Sequence, residues 1–228
     1  MTLKEKLVEI CSNIKAAQDR SELDHFVDIV GVTKTHPFSY IEESYRAGLR
    51  SIGENRIQEA EKKFGSFEKM PQLKKRFIGH LQSNKVKRCV DIFDAIDSIG
   101  SLKTLKKISR HAKKINKDVS ILIEVNTSQE TQKKGFSLSQ KKDIAECFLE
   151  EGVSVDGLMT IGPNTSNQDK IRQSFRALKE LGNWLTEKKN VEVKHLSMGM
   201  SGDYEIAVEE GSTMIRVGSL LYGPRNSE

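Results

Sequence analysis

Short runs of β-branched and other apolar residues alternate along the chain with longer segments in which apolar residues recur every three or four positions. The first pattern is typical of buried strands, and the second is typical of amphipathic helices. The pattern predicts eight strands, at residues 27–32, 50–53, 76–79, 92–97, 119–125, 155–159, 193–197 and 213–217.

Helices are predicted between these strands, most clearly at residues 38–47, 101–116, 138–151 and 170–188. A further helix is predicted at residues 1–17, where leucine and isoleucine recur at helical spacing among lysine and glutamate. Ser101 and Ser137 stand where N-cap residues are expected, because a serine hydroxyl accepts a hydrogen bond from an N–H group of the first helical turn.

The alternation of strands and helices indicates successive βα units around a parallel sheet. Such units close into a barrel or lie open as a doubly wound sheet, and the hydrophobic pattern alone separates the two weakly. The count of eight favours the barrel, and no G-x-G-x-x-G motif follows the first predicted strand. We therefore predict an α/β fold, a single (β/α)8 TIM-type barrel with an extra N-terminal helix, formed as one domain by residues 1–228.

The charge balance changes this picture little. The chain has 37 lysines and arginines against 32 aspartates and glutamates, a net charge of +5, with a pI near 9.0. The densest basic stretch, residues 103–117, spaces its lysines around Leu105, Ile108 and Ala112, as the solvent-facing side of an amphipathic helix does. A nucleic-acid partner is therefore not expected.

The cysteines and the N-terminal segment bear on compartment and metal binding. Cys11, Cys89 and Cys147 are far apart and form no C-x-x-C pair, so we expect reduced thiols and no metal site. No apolar run approaches the roughly 18 residues of a membrane span, and the first helix is amphipathic rather than a signal core. A soluble cytoplasmic protein is expected, with no membrane partner.

Lys34 follows the first predicted strand at the position where catalytic residues of a barrel lie. A lysine there either extends its ammonium group to solvent or is held in a dry site, where burial lowers its pKa and makes it a Schiff-base former. By itself Lys34 leaves both interpretations open.

Two loops near the end of the chain favour an anion site in the same place. Ser201 and Gly202 follow the seventh predicted strand, and Gly218 and Ser219 follow the eighth. Small residues let backbone N–H groups and hydroxyls approach an anion, and in TIM barrels these two loops frequently bind phosphate. Arg216 adds a permanent cation nearby.

Six segments, in order from about residue 28 to residue 225, resemble the YggS/PROSC proteins; they are 30–37, 52–59, 77–87, 123–128, 157–162 and 196–223. The most specific are Gly-His-Leu-Gln-Ser-Asn-Lys and Leu-Ser-Met-Gly-Met-Ser. Members of that family bind pyridoxal 5′-phosphate (PLP), serve its homeostasis, and are similar to the N-terminal barrel of bacterial alanine racemase. The resemblance implies PLP held as an internal aldimine, a Schiff base, on Lys34.

The resemblance also implies roles for the remaining site residues. Phosphate would be held by Ser201, Gly202, Gly218 and Ser219. The ring side of the pocket would be lined by Asn55, His80 and Asn84, while Met159 would pack beside the ring or simply belong to the barrel core. Arg216 would lie near the pyridine nitrogen. Because arginine only donates hydrogen bonds, that nitrogen would accept one and stay unprotonated. The ring would then be a weak electron sink.

A racemase of the alanine type also uses a tyrosine from a separate β-domain across a dimer interface. The sequence ends at Glu228, shortly after the barrel, so no such domain is expected, and Tyr45, Tyr204 and Tyr222 are interpreted as packing residues. The polar segment 127–136 is expected to form a mobile rim, with Lys133 and Lys134 as solvated charges.

We predict a monomeric PLP-binding protein that acts in PLP homeostasis and supply without strong catalytic activity, with PLP-dependent apoenzymes as further partners. Two alternatives remain, a slow PLP-dependent amino-acid racemase and a cofactor-free barrel that uses Lys34 as an aldolase-type Schiff-base lysine.

Overall fold

Eight parallel strands close into a barrel, as predicted. The computed structural model describes residues 1–223. The last five residues of the predicted domain, including residue 225 where the family resemblance ends, lie outside the described residues. The strands are β1 Asp28–Val32, β2 Ser51–Glu54, β3 Lys74–Phe77, β4 Ala95–Ile99, β5 Ser120–Asn126, β6 Phe136–Ser137, β7 Ser154–Met159, β8 His195–Met200 and β9 Met214–Val217.

Closure follows from the order of pairing. The sheet runs β4-β3-β2-β1-β9-β8-β7-β5, and β4 also pairs with β5 through Ala95 and Ser120, so the barrel strands leave no open edge. The short β6, which the hydrophobic pattern did not predict, lies outside this ring and extends from β5 at Val125 and Phe136.

Helices connect the strands and cover the outside of the barrel. They are α1 Leu3–Ser21, α2 Phe38–Arg46, α3 Ile57–Lys63, α4 Val86–Ile92, α5 Leu102–Ile115, α6 Lys141–Cys147, α7 Gln168–Lys189, α8 Tyr204–Glu209 and α9 Ser219–Tyr222. The N-terminal helix α1 begins with a capping box, in which the Thr2 hydroxyl accepts from the Glu5 N–H and the Glu5 carboxylate accepts from the Thr2 N–H. Within the described part of the chain, no helix is both long and apolar enough to cross a membrane.

Two predicted boundaries were wrong for reasons of local structure. Ser137 is not an N-cap, because it belongs to β6 and pairs with β5, so α6 begins only at Lys141, after Gln140. The strand predicted at 92–97 begins at Ala95, because the preceding apolar residues complete α4. The prediction for Ser101 is confirmed, since its hydroxyl accepts from the Thr104 N–H at the start of α5.

Alternate strand residues separate an outer apolar layer from a mixed barrel interior. Phe77 and Ile96 point outward and pack against helix residues of the main core. The neighbouring Arg76 and Asp97 therefore point inward, where they form an ion pair of 2.9 Å with side-chain exposures of 2% and 0%. The lysine-rich side of α5 faces solvent, as its pattern predicted.

Candidate functional site

A cavity of about 460 Å³ opens at the carboxyl ends of the barrel strands. This volume lies within the roughly 300–1,000 Å³ that small-molecule sites commonly occupy. Nine of the ten predicted site residues line it, namely Lys34, Asn55, His80, Met159, Ser201, Gly202, Arg216, Gly218 and Ser219. The fold therefore brings together side chains that are spread over most of the sequence.

Asn84 is the exception, because the fold does not bring it to the cavity. It is exposed and does not belong to the cavity lining. The chain leaves the barrel mouth after His80 and forms a turn in which the Lys85 N–H donates to the Gln82 carbonyl, directly before α4. That turn places Asn84 on the surface, although it lies only four residues from His80.

Lys34 lies on a tight turn between β1 and α2 and is half-buried at the cavity. The next residue, Thr35, has a φ of +68°, a left-handed conformation that is unfavourable for a β-branched side chain. The Thr35 N–H donates to the Glu59 carboxylate at 2.6 Å, and the His36 N–H donates to the Thr33 carbonyl at 3.0 Å. These bonds hold the turn in its strained form.

A buried carboxylate lies beneath this turn. Glu54, at the end of β2, is fully buried, and its Oε1 accepts from the Thr33 hydroxyl at 2.5 Å and from the Lys63 ammonium at 2.5 Å. Burial raises the pKa of Glu54, while Lys63 and Thr33 oppose the rise. The Lys63 ammonium also donates to the Thr33 carbonyl at 2.8 Å, so one cation joins the carboxylate to the backbone beside Lys34.

The small residues form the opposite side of the cavity. The Gly218 N–H donates to the Ser201 hydroxyl at 3.3 Å, which joins the loop after β8 to the loop after β9. A Cβ added to Gly202 would meet no atom within 4 Å, so the packing of the protein does not require this glycine. Its lack of a side chain instead leaves the backbone open to a ligand.

Arg216 forms the inner wall and is almost completely buried. Its guanidinium donates to the Ser197 carbonyl at 2.9 Å, the Ser197 hydroxyl at 2.7 Å and the Thr160 carbonyl at 2.8 Å. Burial lowers the pKa of Arg216, and the carboxylates of Asp97, Asp203 and Glu124 oppose the fall. Arginine stays protonated in proteins, so the cavity has a fixed cation at its inner wall.

Met159 belongs both to the cavity lining and to the barrel core. It lines the cavity and also packs with Val30, Leu122 and Met214. These residues come from strands on opposite sides of the barrel, so they meet in its interior, where Met159 is the one of the four that lines the cavity and forms its floor.

Several lining residues were not predicted, and they are mostly apolar or small. Ile78, Ile161 and Met200 follow or end strands but bear no group that suggests chemistry. Gly79 did carry a signal, because it adjoins His80 in the most specific motif. A Cβ on Gly79 would lie 2.2 Å from the Asn55 carbonyl oxygen, so glycine is required for the β2 and β3 ends to approach each other.

Lys133 is not the solvated charge that was expected. Its ammonium donates to the Gly162 carbonyl at 2.6 Å and the Ser128 hydroxyl at 3.1 Å and pairs with the Glu130 carboxylate at 2.9 Å. It therefore connects the loop after β5 to the loop after β7. Lys134, in contrast, is exposed, as expected.

The hydroxyls of the tyrosines interpreted as packing residues bond to residues outside the cavity lining. The hydroxyl of Tyr45 donates to the Pro71 carbonyl, that of Tyr204 accepts from Asn13, and that of Tyr222 bonds to Ser44. None of the cavity-lining residues in the described part of the chain is a tyrosine.

The chain is similar to known proteins over almost its whole length. Residues 6–226 match the family model of the alanine racemase N-terminal domain. A pyridoxal phosphate homeostasis protein of Aquifex aeolicus is 39% identical over 227 residues, which cover 99% of each chain.

Solved structures agree with this result. PipY of Synechococcus elongatus with PLP bound is 30% identical, with a TM-score of 0.84 over 97% of this chain and 100% of that chain. An alanine racemase of Clostridium difficile is 16% identical, with a TM-score of 0.74 over 100% of this chain and 58% of that chain, and so shares the barrel fold.

Proposed function

This chain belongs to the alanine racemase N-terminal domain family, among the pyridoxal phosphate homeostasis proteins, and from that membership we propose that it holds PLP as a Schiff base on Lys34. The observation that carries the proposal is the convergence on one cavity of a strand-end lysine, two loops of small residues and a buried arginine. A relative that is 30% identical has been solved with PLP bound, which supports the same cofactor here.

The residues present fit the chemistry of this cofactor. PLP supplies an aldehyde, to which an amine adds with formation of a C–N bond and loss of the aldehyde oxygen as water. In our proposal the Lys34 amine is that nucleophile, after its ammonium has given up a proton. Ser201, Gly202, Gly218 and Ser219 bind the phosphate, and their hydroxyls and open backbone suit a dianion.

The remaining lining residues contact the ring in this proposal. Asn55 and His80 border the ring side, and Met159 packs beside the ring from the cavity floor. Arg216 meets the pyridine nitrogen as a hydrogen-bond donor, so that nitrogen remains an acceptor. A ring held this way withdraws electrons weakly and stabilises carbanions poorly.

We propose that the protein serves PLP homeostasis and supply rather than vigorous catalysis. The proposed contact of Arg216 with the ring nitrogen supports this, because it would make the ring a weak electron sink. None of the described cavity-lining residues is a tyrosine that could act as a second acid or base. The proposal extends to a cytoplasmic monomer formed as one domain, with PLP-dependent apoenzymes as recipients. Sedimentation velocity tests the monomer.

The first test is the visible absorption spectrum of the purified protein, with and without added PLP. We expect an absorption band of a Schiff base that is absent from Lys34→Ala. Lys34→Arg is the matched control, since it keeps the positive charge but does not form the Schiff base. If the wild-type protein lacks this band after saturation with PLP, the proposal is refuted. Borohydride reduction that traps a carbonyl compound on the protein in the absence of PLP would then favour the aldolase-type alternative.

The racemase alternative predicts a different result. A slow racemase exchanges the α-hydrogen of an amino acid for deuterium in deuterated water, whereas a homeostasis protein binds PLP with negligible exchange. Proton NMR of the PLP-loaded protein with alanine separates the two, and Lys34→Ala shows the background rate.

A further inference from the structure

Two acidic residues and one lysine flank the turn that bears Lys34, and none of them lines the cavity. Glu54 ends β2, Glu59 lies on α3, and Lys63 ends α3. The Lys63 ammonium contacts both carboxylates, at 2.5 Å to Glu54 and 3.4 Å to Glu59. We refer to these three residues as the Lys63 cluster.

The Lys63 cluster holds the residues on both sides of Lys34. Before it, the Thr33 hydroxyl donates to Glu54 and the Thr33 carbonyl accepts from Lys63. After it, the Thr35 N–H donates to Glu59. The backbone on each side of Lys34 is thus attached to the cluster by hydrogen bonds in which one partner is charged, the stronger class of hydrogen bond.

The burial of the cluster makes these bonds effective. The side chains of Lys63 and Glu54 are 7% and 0% exposed, so water competes poorly for them. Thr35 also needs support, since a φ of +68° is unfavourable for a residue other than glycine. A carboxylate that binds the Thr35 N–H offsets this cost and fixes the direction in which the chain leaves Lys34.

We propose that Lys63 is a positioning residue for Lys34, and that the Lys63 cluster sets the placement of the Lys34 amine rather than contacting the ligand. The proposal rests on the function proposed above, because it concerns the reaction of Lys34 with PLP. It predicts that disrupting the Lys63 cluster weakens the Schiff base between Lys34 and PLP. The cavity floor and the two loops that bear Ser201, Gly202, Gly218 and Ser219, here called the phosphate loops, should stay intact.

The experiment compares two ligands in Lys63→Met. PLP uses both the phosphate loops and Lys34, whereas pyridoxine 5′-phosphate has the same phosphate and ring but no aldehyde for Lys34. Isothermal titration calorimetry should show a roughly tenfold or larger loss of PLP affinity, as expected from losing a hydrogen bond to a charged group, with little change for pyridoxine 5′-phosphate. Lys62→Met is the matched control, because Lys62 is the exposed neighbour of Lys63 on the same helix.

Two further variants separate positioning from folding. Glu59→Ala removes the acceptor of the Thr35 N–H at a site of 26% side-chain exposure, so it should fold and still lose affinity for PLP selectively. Glu54→Gln/Lys63→Met restores charge balance, so it should regain thermal stability but not PLP affinity, since the bonds of Lys63 to Thr33 and Glu59 stay absent.

The outcomes are distinct. Equal losses for both ligands, or a double variant that regains PLP affinity, would overturn the positioning role while leaving the proposed function intact. Unchanged PLP affinity in Lys63→Met and Glu59→Ala would overturn it as well. A wild-type protein that binds pyridoxine 5′-phosphate but forms no Schiff-base band with PLP would overturn both the proposed function and this inference.

Discussion

The ion pair inside the barrel gives the sharpest prediction about stability. Arg76 and Asp97 lie 2.9 Å apart, and the Arg76 Nε also donates to the Ser51 hydroxyl at 2.8 Å. At an effective dielectric constant of about 20, two unit charges at this distance attract by about 6 kcal/mol, which is offset by the cost of removing both from water. Asp97 also has a buried oxygen, Oδ2, without a hydrogen bond from the described residues.

Arg76→Met removes the cation and leaves the Asp97 carboxylate buried beside an apolar side chain. We expect the free energy of unfolding to fall by roughly 3–5 kcal/mol, the cost of stranding one partner of a buried pair. For a chain of this length that corresponds to a drop in Tm of roughly 6–20 °C. Urea-induced unfolding, followed by far-ultraviolet circular dichroism, measures the change.

Lys75→Met is the matched control on the same strand. Lys75 pairs with Asp94 at 3.0 Å, but these side chains are 21% and 32% exposed, so its loss should cost at most about 1 kcal/mol. Arg76→Met/Asp97→Leu should be more stable than Arg76→Met, since it removes the stranded charge. If Arg76→Met costs no more than Lys75→Met, or if the double variant is the less stable one, the reasoning from burial is refuted.

Three further predictions concern other parts of the molecule. Burial lowers the pKa of His195, so below its unfolded pKa of about 6.5 the unfolded state binds a proton that the folded state does not. Stability should therefore decrease as the pH is lowered below about 6.5, and His195→Gln should weaken this decrease in urea titrations at several pH values. Burial raises the pKa of Cys147 to about 12 and also raises that of Cys89, whereas Cys11 is exposed. A thiol reagent should therefore label only Cys11 in the native protein and all three cysteines in urea. Rapid labelling of all three cysteines in the native protein would contradict this. A Cβ on Gly31 would lie 2.4 Å from the Tyr222 hydroxyl, so Gly31→Ala should lower the free energy of unfolding by about 1–3 kcal/mol. Adding Tyr222→Phe to Gly31→Ala removes the hydroxyl and should partly restore stability, as measured by thermal unfolding.

The barrel could be predicted because its signals are local. Eight apolar runs and the helices between them appear in the sequence, and each barrel strand was found within a few residues of its observed position. The errors occurred where neighbouring structure outweighed local preference. Ser137 has a good N-cap residue type, yet pairing with β5 draws it into a strand.

The gathering of the candidate site residues at one end of the barrel could also be predicted from the sequence. Residues that follow parallel strands gather at one end of a barrel, so strand-end positions such as Lys34, Gly202 and Ser219 could be placed there from the pattern and the family resemblance. Asn84 lay too far into a loop for this rule, because a turn of a few residues is enough to direct a side chain to the surface.

The sequence by itself determined the order of the elements, the (β/α)8 class and the strand ends that carry polar or small residues, because periodicity and residue type are properties of neighbouring positions. Only the tertiary structure decided that Lys63 joins Glu54 and Glu59 beneath Lys34, that Lys133 joins two loops, and that Arg76 pairs with Asp97 inside the barrel. These contacts depend on which strands and loops become neighbours after closure. A charged residue has the same local pattern whether it faces water or a buried partner, so its role is fixed only by the fold.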